Sequence, residues 1–298
     1  MNLKTHISIC LLITVLASTV VVKTYAASKK ELSTATLNVA TYNIRIQTES
    51  DKEERAWKNR KNQVSKLIST YKFDIFGVQE IADKMQEKQL KRRLPSFDMY
   101  SVGRGDIEGK TGERLAIFYN KKRFDLIDKD YFFLSETPDK AVKGWDAAYE
   151  RMCIWAKFTD RNTNKTFFFF NLHFDHIGLL ARAESAKLVT ERIKKIAGDA
   201  AVFCVGDFNA SPFETAVYNT MTATLADSRV SSETTPEGSI GTFNGWDTHS
   251  TEFPLNVLID YIFTQNVQVL HYAVLNDKIK PTSVPSDHFP VLIKCKLR

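Results

Sequence analysis

Short apolar runs in this chain repeatedly end on a carboxylate, a carboxamide or an imidazole, and that recurrence constrains the fold more than any single motif. Ala201-Val202-Phe203-Cys204-Val205 is β-branched and aromatic and gives way to Gly206-Asp207-Phe208-Asn209. It reads as a buried strand reaching a sheet edge. Extended alternation would point Asp207 and Asn209 to one side, where a carboxylate and a carboxamide can hold and activate a water. Gly-Asp is also an ordinary turn, so the meaning of this corner depends on its company. Asn43 sits late in the run Leu37–Arg45, and Glu80 closes Phe73–Glu80. Asn171, His173, Asp175 and His176 follow Phe167–Phe170. Asp260 lies inside Val257–Phe263, and Ser286-Asp287-His288 precedes the last apolar run. Any one of these is a cap or a turn on its own. Together they predict one sheet edge lined with chemistry.

The remaining pattern supplies the frame. Trp57, Val64, Leu67, Ile68 and Tyr71 stand at helical spacing, which predicts an amphipathic helix over Trp57–Tyr71. A second helix is expected over Met85–Leu94, closed by Pro95, and a third over Leu179–Ile196 with Gly198 as its stop. A short helix should begin near Ser211-Pro212, where proline suits a first turn. Further strands are expected at Met99–Val102, Arg114–Tyr119, Phe124–Phe133, Met152–Phe158, Thr166–Phe174, Val267–Val274 and Phe289–Leu297. No linker or repeat separates the halves. The prediction is an α/β fold in which two packed sheets, flanked by helices, form one domain over residues 28–298.

Residues 1–27 stand apart. A short polar start with Lys4, the apolar run Ile7–Val22 and the small residues before Ser28 have the layout of a secretory signal peptide. The expectation is an exported protein, periplasmic or extracellular, a monomer with no stable membrane insertion after cleavage; a retained membrane anchor is the rival reading. The net charge is +6; without Lys4 and Lys23 it is near +4, a mild basicity that suits a polyanionic substrate without demanding one. Cys153, Cys204 and Cys295 sit in apolar, strand-like settings, so buried thiols are expected rather than a disulfide framework.

Asp260 is the sharpest single residue. A carboxylate in a buried strand is costly unless paired. His288 is the preferred partner, because a carboxylate fixes an imidazole's tautomer and stabilises its charge; Arg151 or Arg229 is the alternative. Glu80, Asp287, Asp207, Asn43 and Asn209 offer hard oxygen donors, which suit Mg²⁺ or Mn²⁺ better than Zn²⁺. Cys-x-x-Cys, His-Glu-x-x-His, phosphate-loop and Gly-x-Ser-x-Gly patterns are all missing.

From Thr41-Tyr42-Asn43-Ile44-Arg45 to Ser286-Asp287-His288-Phe289-Pro290, the chain resembles the endonuclease/exonuclease/phosphatase superfamily. Gly77-Val78-Gln79-Glu80, Asn171-Leu172-His173-Phe174-Asp175-His176, Gly206-Asp207-Phe208-Asn209 and Ile259-Asp260-Tyr261-Ile262-Phe263 carry the likeness in order. The resemblance implies a four-layer, DNase I-like α/β sandwich that hydrolyses phosphate esters with a divalent metal. It implies Glu80 as main metal ligand, with Asp287 and Asn43 at or near the metal. Asp207 and Asn209 would position or activate water, His288 held by Asp260 would contact the scissile phosphate, and His173 would bind its other side. Whether Asp207 or His288 takes the water's proton stays open.

A closer likeness is to a secreted bacterial branch with deadenylase-like and sphingomyelinase-like relatives, through Thr242-Phe243-Asn244-Gly245-Trp246 and Lys143-Gly144-Trp145-Asp146. Trp145, Phe243 and Trp246 either stack on a base or sugar or pack under their own loops. Arg114 and Arg151 are candidate phosphate contacts or salt-bridge formers, and Asn171 is a further candidate substrate contact. The leading expectation is a phosphodiesterase acting on nucleic acid, single-stranded in particular, or on a nucleotide-like ester. A phospholipid or sugar phosphate is the second substrate class, and a non-catalytic binding module of the same fold the third reading. The chain has no apolar hairpin for a membrane and no dense basic, aromatic patch for long duplex.

Overall fold

In the computed structural model, residues 35–250, 252–278 and 283–298 are described; the expected signal peptide lies outside them. Among the described residues, thirteen strands build two mixed sheets within Leu37–Arg298. The first has the order β10-β12-β13-β1-β2-β4-β3. Its strands are β1 (Leu37–Asn43), β2 (Ile75–Ile81), β3 (Phe97–Gly103), β4 (Arg114–Asn120), β10 (Glu237–Gly238), β12 (Val267–Val274) and β13 (Val291–Leu297). The second has the order β5-β6-β7-β8-β11-β9. It comprises β5 (Phe124–Phe133), β6 (Met152–Asp160), β7 (Lys165–His173), β8 (Ala201–Asp207), β9 (Ala226–Asp227) and β11 (Asp260–Gln265). Helices α1 (Trp57–Thr70) and α2 (Lys84–Arg93) cover the first sheet, and α3 (Leu179–Ala197) and α4 (Thr215–Thr222) the second.

Strand alternation builds the four layers. Phe167 and Phe169 of β7 point between the sheets, with Phe203, Ile117 and Ile293. Phe168 and Phe170 point the other way, onto Val189 and Ile193 of α3. The phenylalanine run is continuous because both faces of β7 are buried, and each such ring contributes roughly 1.5–3 kcal/mol of transfer free energy. In the first sheet Leu37 and Val39 face the middle, while Ala40 and Tyr42 meet Trp57, Val64 and Ile68 of α1.

Two central pairs are parallel: β1 with β2, crossed over by α1, and β7 with β8, crossed over by α3. Their carboxyl ends leave the sandwich at one edge. Antiparallel β13 and β11 begin at that same edge, since Thr41 pairs with Val291 and Asp207 with Asp260. The expected strand over Val257–Phe263 is shorter. Leu255–Val257 forms a 3-10 turn, and Thr242 Oγ1 accepts the Ile259 and Asp260 N–H groups at 3.1 Å each. Asp260 is therefore the first residue of β11, not an interior one.

Beneath this edge the sheets are tied by a buried amide pair. Gln79 Nε2 donates to Asn171 Oδ1 at 2.6 Å and to Thr41 Oγ1 at 3.0 Å. Asn171 Nδ2 donates to the Val78 and Ala116 carbonyls at 3.1 and 2.9 Å. Gly77 permits this approach, because a Cβ there would lie 2.6 Å from Val205 and 2.7 Å from Asn171 Oδ1. Asn171→Leu keeps the volume and orphans Gln79's donor and two carbonyls. Urea unfolding should show a loss of about 3 kcal/mol; a loss below about 1 kcal/mol would mean the tie contributes little.

Candidate functional site

Each functional side chain reaches the edge because its strand stops there. Glu80 sits in a left-handed conformation (φ +61°), and the β2–β4 register shifts between Val78 and Ile81. This irregularity takes Glu80 out of the ladder. Its Oε1 accepts Asn43 Nδ2 at 3.0 Å and its Oε2 the Ile46 N–H at 2.9 Å. Gly206 has φ +151°, and a Cβ there would come 2.1 Å from the Leu172 carbonyl, so only glycine lets β8 deliver Asp207. The alternation expected for Asp207 and Asn209 is replaced by a turn. Asn209 has φ +49°, and Asp207 Oδ1 accepts its N–H at 2.9 Å. Both residues still line the same cavity. Backbone strain concentrated in this way is typical of functional corners.

His288 Nδ1 lies 2.8 Å from Asp260 Oδ2, which decides the partner of Asp260 in favour of the histidine. His288 Nε2 then faces Asp207 Oδ2 at 3.8 Å, and Phe243 packs edge-on against the ring at 5.0 Å. Burial opposes charge on His288, but the Asp260 and Asp207 carboxylates outweigh it and raise its pKa to about 10. His173 is the opposite case. Burial and the neighbouring Arg151 guanidinium push it down to about 3, so this imidazole is neutral. His173 Nε2 stands 3.5 Å from Asp207 Oδ2. Burial raises the pKa of Asp207, helped by Asp260, and burial raises that of Asp287.

Glu80, His173 and Asp207 place ligand atoms within 4.8 Å of one another, as do Asp207, Asp260 and His288. Asp287 lines the same cavity of ≈700 Å³, a size suited to a small molecule. Three buried or half-buried carboxylates around one hollow repel each other, and a divalent cation relieves that repulsion. The donor set therefore fits a hard metal ion, with Glu80, Asp207 and Asp287 to hold it. Cys153, Cys204 and Cys295 are buried free thiols remote from that set.

Four expected contacts are placed elsewhere, and one changes role. Arg114 is buried in an ion pair with Glu87 at 2.6 Å and donates to the Ser101, Gly109 and Lys110 carbonyls; a guanidinium so saturated cannot take a phosphate. Asn171 is the inter-sheet tie, below the cavity rather than in it. The Trp145 N–H donates to Glu136, and its neighbour Asp146 caps the start of α3 through the Leu180 and Ala181 N–H groups. Trp145 itself is not among the residues lining the cavity. Trp246 packs beside Arg55 and Arg60, each 5.6 Å from its ring, along a separate groove. Asn43 stays in the cluster but as a donor. Its Oδ1 accepts the Arg45 N–H at 3.0 Å, and its Nδ2 donates to Glu80 at 3.0 Å and to Asp207 at 2.9 Å.

Arg151 does line the cavity, and so do Arg104 and Glu113, which sequence reasoning missed. Their signal was the same rule applied to a hairpin: Arg104 directly follows β3, and Glu113 directly precedes β4.

A model of the endonuclease/exonuclease/phosphatase family matches residues 40–288, a span that holds every one of these side chains. The chain belongs to the endonuclease/exonuclease/phosphatase family. Solved structures agree in fold. A family protein from Bacteroides thetaiotaomicron is 38% identical, with a TM-score of 0.79 over 88% of this chain and 98% of its own. A mannosyl-6-phosphatase of the same organism is also 38% identical, with a TM-score of 0.80 over 87% and 99%. D. rerio TDP2, solved with a single-strand DNA product, shares the fold at 17% identity and a TM-score of 0.68, over 88% and 99%. Members of this family hydrolyse phosphoesters and generally use divalent metals, and the DNase I-like sandwich predicted from sequence is the fold observed.

The metal fit has a direct test. Mn²⁺ at about 100 times its dissociation constant should stabilise the protein by roughly 2.7 kcal/mol, seen as a rise in melting temperature. Glu80→Gln should abolish the rise. An unchanged melting temperature in the unsubstituted protein would contradict the site.

Proposed function

We propose that this chain is a Mg²⁺- or Mn²⁺-dependent phosphoesterase that releases phosphate from a sugar phosphomonoester, and that residues 1–27 direct its export as a monomer. The observation that carries the chemistry is the gathering of Glu80, His173, Asp207, Asn209, Asp287 and the Asp260–His288 pair around one cavity. The export reading rests on the leader's sequence alone. The substrate class is supported by 38% identity, over nearly the whole chain, to a protein described as a mannosyl-6-phosphatase.

The residues divide the work. Glu80, Asp207 and Asp287 hold the cation. When bound, it supplies charge neutralisation on the phosphoryl oxygens. Asp207 accepts the proton of the attacking water, because His288 already carries a proton on each nitrogen and is tied through Nδ1 to Asp260. Asn209, anchored through Nδ2 to the Phe174 carbonyl at 3.0 Å, orients that water. His288 Nε2–H donates to the phosphate as charge develops, His173 contacts it from the other side, and the ester bond breaks opposite the attacking water, the departing sugar oxygen taking a proton from solvent.

A nucleic-acid diester is the second reading, favoured by the mild basicity, near +4 once Lys4 and Lys23 of the leader are removed from the +6. Of the three aromatic residues expected to stack on bases, Phe243 lines the cavity and Trp145 and Trp246 do not, which lowers its standing.

Purified protein assayed on hexose 6-phosphates, bis-p-nitrophenyl phosphate, single-stranded DNA and RNA, and sphingomyelin separates these readings. Sugar monoesters should give the highest kcat/KM, lost with EDTA and restored by Mg²⁺ or Mn²⁺. Asp207→Asn should reduce kcat about 100- to 10,000-fold with an unchanged circular dichroism spectrum. EDTA-resistant turnover would defeat the metal claim; preferential cleavage of a nucleic acid would defeat the substrate claim.

A further inference from the structure

One wall of the cavity is not used by the chemistry above, and it is built. Arg104 Nη2 pairs with Glu113 Oε2 at 3.0 Å, and the Arg104 guanidinium lies 5.5 Å from the Tyr149 ring centre. Tyr149 stacks on His176 at 5.8 Å, with 17° between their planes. Arg151 Nη2 donates to His176 Nδ1 at 3.0 Å, and Arg151 Nε to Asp175 at 3.3 Å. These contacts hold both guanidinium groups in place and leave two of their nitrogens over. Arg104 Nη1 and Arg151 Nη1 are buried and have no hydrogen-bond partner, although Arg151 is only 3% exposed and both residues line the cavity. Buried guanidinium N–H groups without an acceptor are costly, so both side chains lack acceptors that a ligand in the cavity they line can supply.

The charge around them narrows the ligand. Each arginine already has a carboxylate partner, Glu113 or Asp175, and Glu150 adds a third negative charge close enough to act on Arg104. This wall has no net positive charge to offer a second phosphate. It offers fixed N–H donors beside the carboxylates of Glu113 and Glu150, an array that matches vicinal hydroxyls, which both donate and accept.

We propose that Arg104, Glu113, Glu150 and Arg151 form a subsite for the hydroxyls of a polyhydroxylated leaving group, a pyranose ring held on the far side of the scissile phosphate. The subsite rests on the sugar-monoester reading and adds to it the residues that select the sugar. Tyr149 and His176 are positioning residues: their stack fixes Arg104 and Arg151 and touches no reacting atom.

The test compares a hexose 6-phosphate, its monodeoxy analogues and ethyl phosphate, which keeps the ester and lacks every hydroxyl. Phosphate release gives kcat/KM for each with the full-length protein and with Arg104→Gln and Glu150→Gln. The hexose-to-ethyl ratio of kcat/KM should fall at least about tenfold in Arg104→Gln, the scale of a lost charged hydrogen bond. It should fall about threefold in the more exposed Glu150→Gln. For one deoxy position the losses from the sugar and from the substitution should not add, because both remove the same contact. Equal losses on hexose and ethyl phosphate in both variants would overturn the subsite while leaving the sugar reading intact. An unsubstituted protein that hydrolyses no sugar phosphate would overturn both.

Discussion

The contact between the two sheets is the constraint on which the site depends. Residues from six strands meet at one edge only because β1/β2 and β7/β8 lie face to face, with their parallel carboxyl ends in step. Apolar packing of Phe167, Phe169 and Phe203 against the first sheet supplies the bulk of that attraction, but it is not directional. Direction comes from the Gln79–Asn171 pair, which a slip of one sheet past the other would break on both sides. Gln79 precedes Glu80, and Asn171 lies two residues before His173. The residues that lock the sheets thus set the spacing between a carboxylate of one sheet and an imidazole of the other.

Above that lock the cavity holds charges of both signs. Glu80, Asp207 and Asp287 share it with Arg104 and Arg151, and the neutral His173 sits within 4.8 Å of the Glu80 and Asp207 carboxylates. Two chemically identical imidazoles are driven in opposite directions by their neighbours. His288 is held charged by the Asp260 and Asp207 carboxylates, whereas burial, helped by Arg151, keeps His173 neutral although Glu113 and Asp207 lie 3.4 and 3.5 Å from its ring nitrogens. A phosphate lying between them meets a cationic donor on one side and a neutral one on the other, an asymmetry that suits a reaction in which charge builds toward one oxygen.

Strand ends were the legible part of the sequence. Period-two alternation and polar terminations located the elements to within a few residues and brought Glu80, His173, Asp207, Asp287 and His288 to one edge. They could not assign long side chains, whose heads travel far from their backbone. Arg114 begins β4 beside the cavity, yet its guanidinium turns back onto Glu87 of α2. Trp145 and Trp246 sit in glycine-flanked loops that resemble rim segments, but Glu136 takes the backbone of one and two arginines flank the ring of the other. Asn171 alternates correctly along β7, but a side chain buried between sheets serves the sheets first. Arg104 directly after β3 and Glu113 directly before β4 obey the same strand-end rule, but the aperiodic loop between them gives no pattern that ties them to this edge.

The central claim is that strand geometry assembles a cation site from Glu80, Asp207 and Asp287. Anomalous diffraction from crystals grown with Mn²⁺ measures it most directly. The account predicts an anomalous peak in contact with the Glu80 carboxylate and bordered by Asp207 and Asp287, absent from Glu80→Gln crystals. A cavity without manganese density under saturating metal, or a peak bound outside it, would contradict the account.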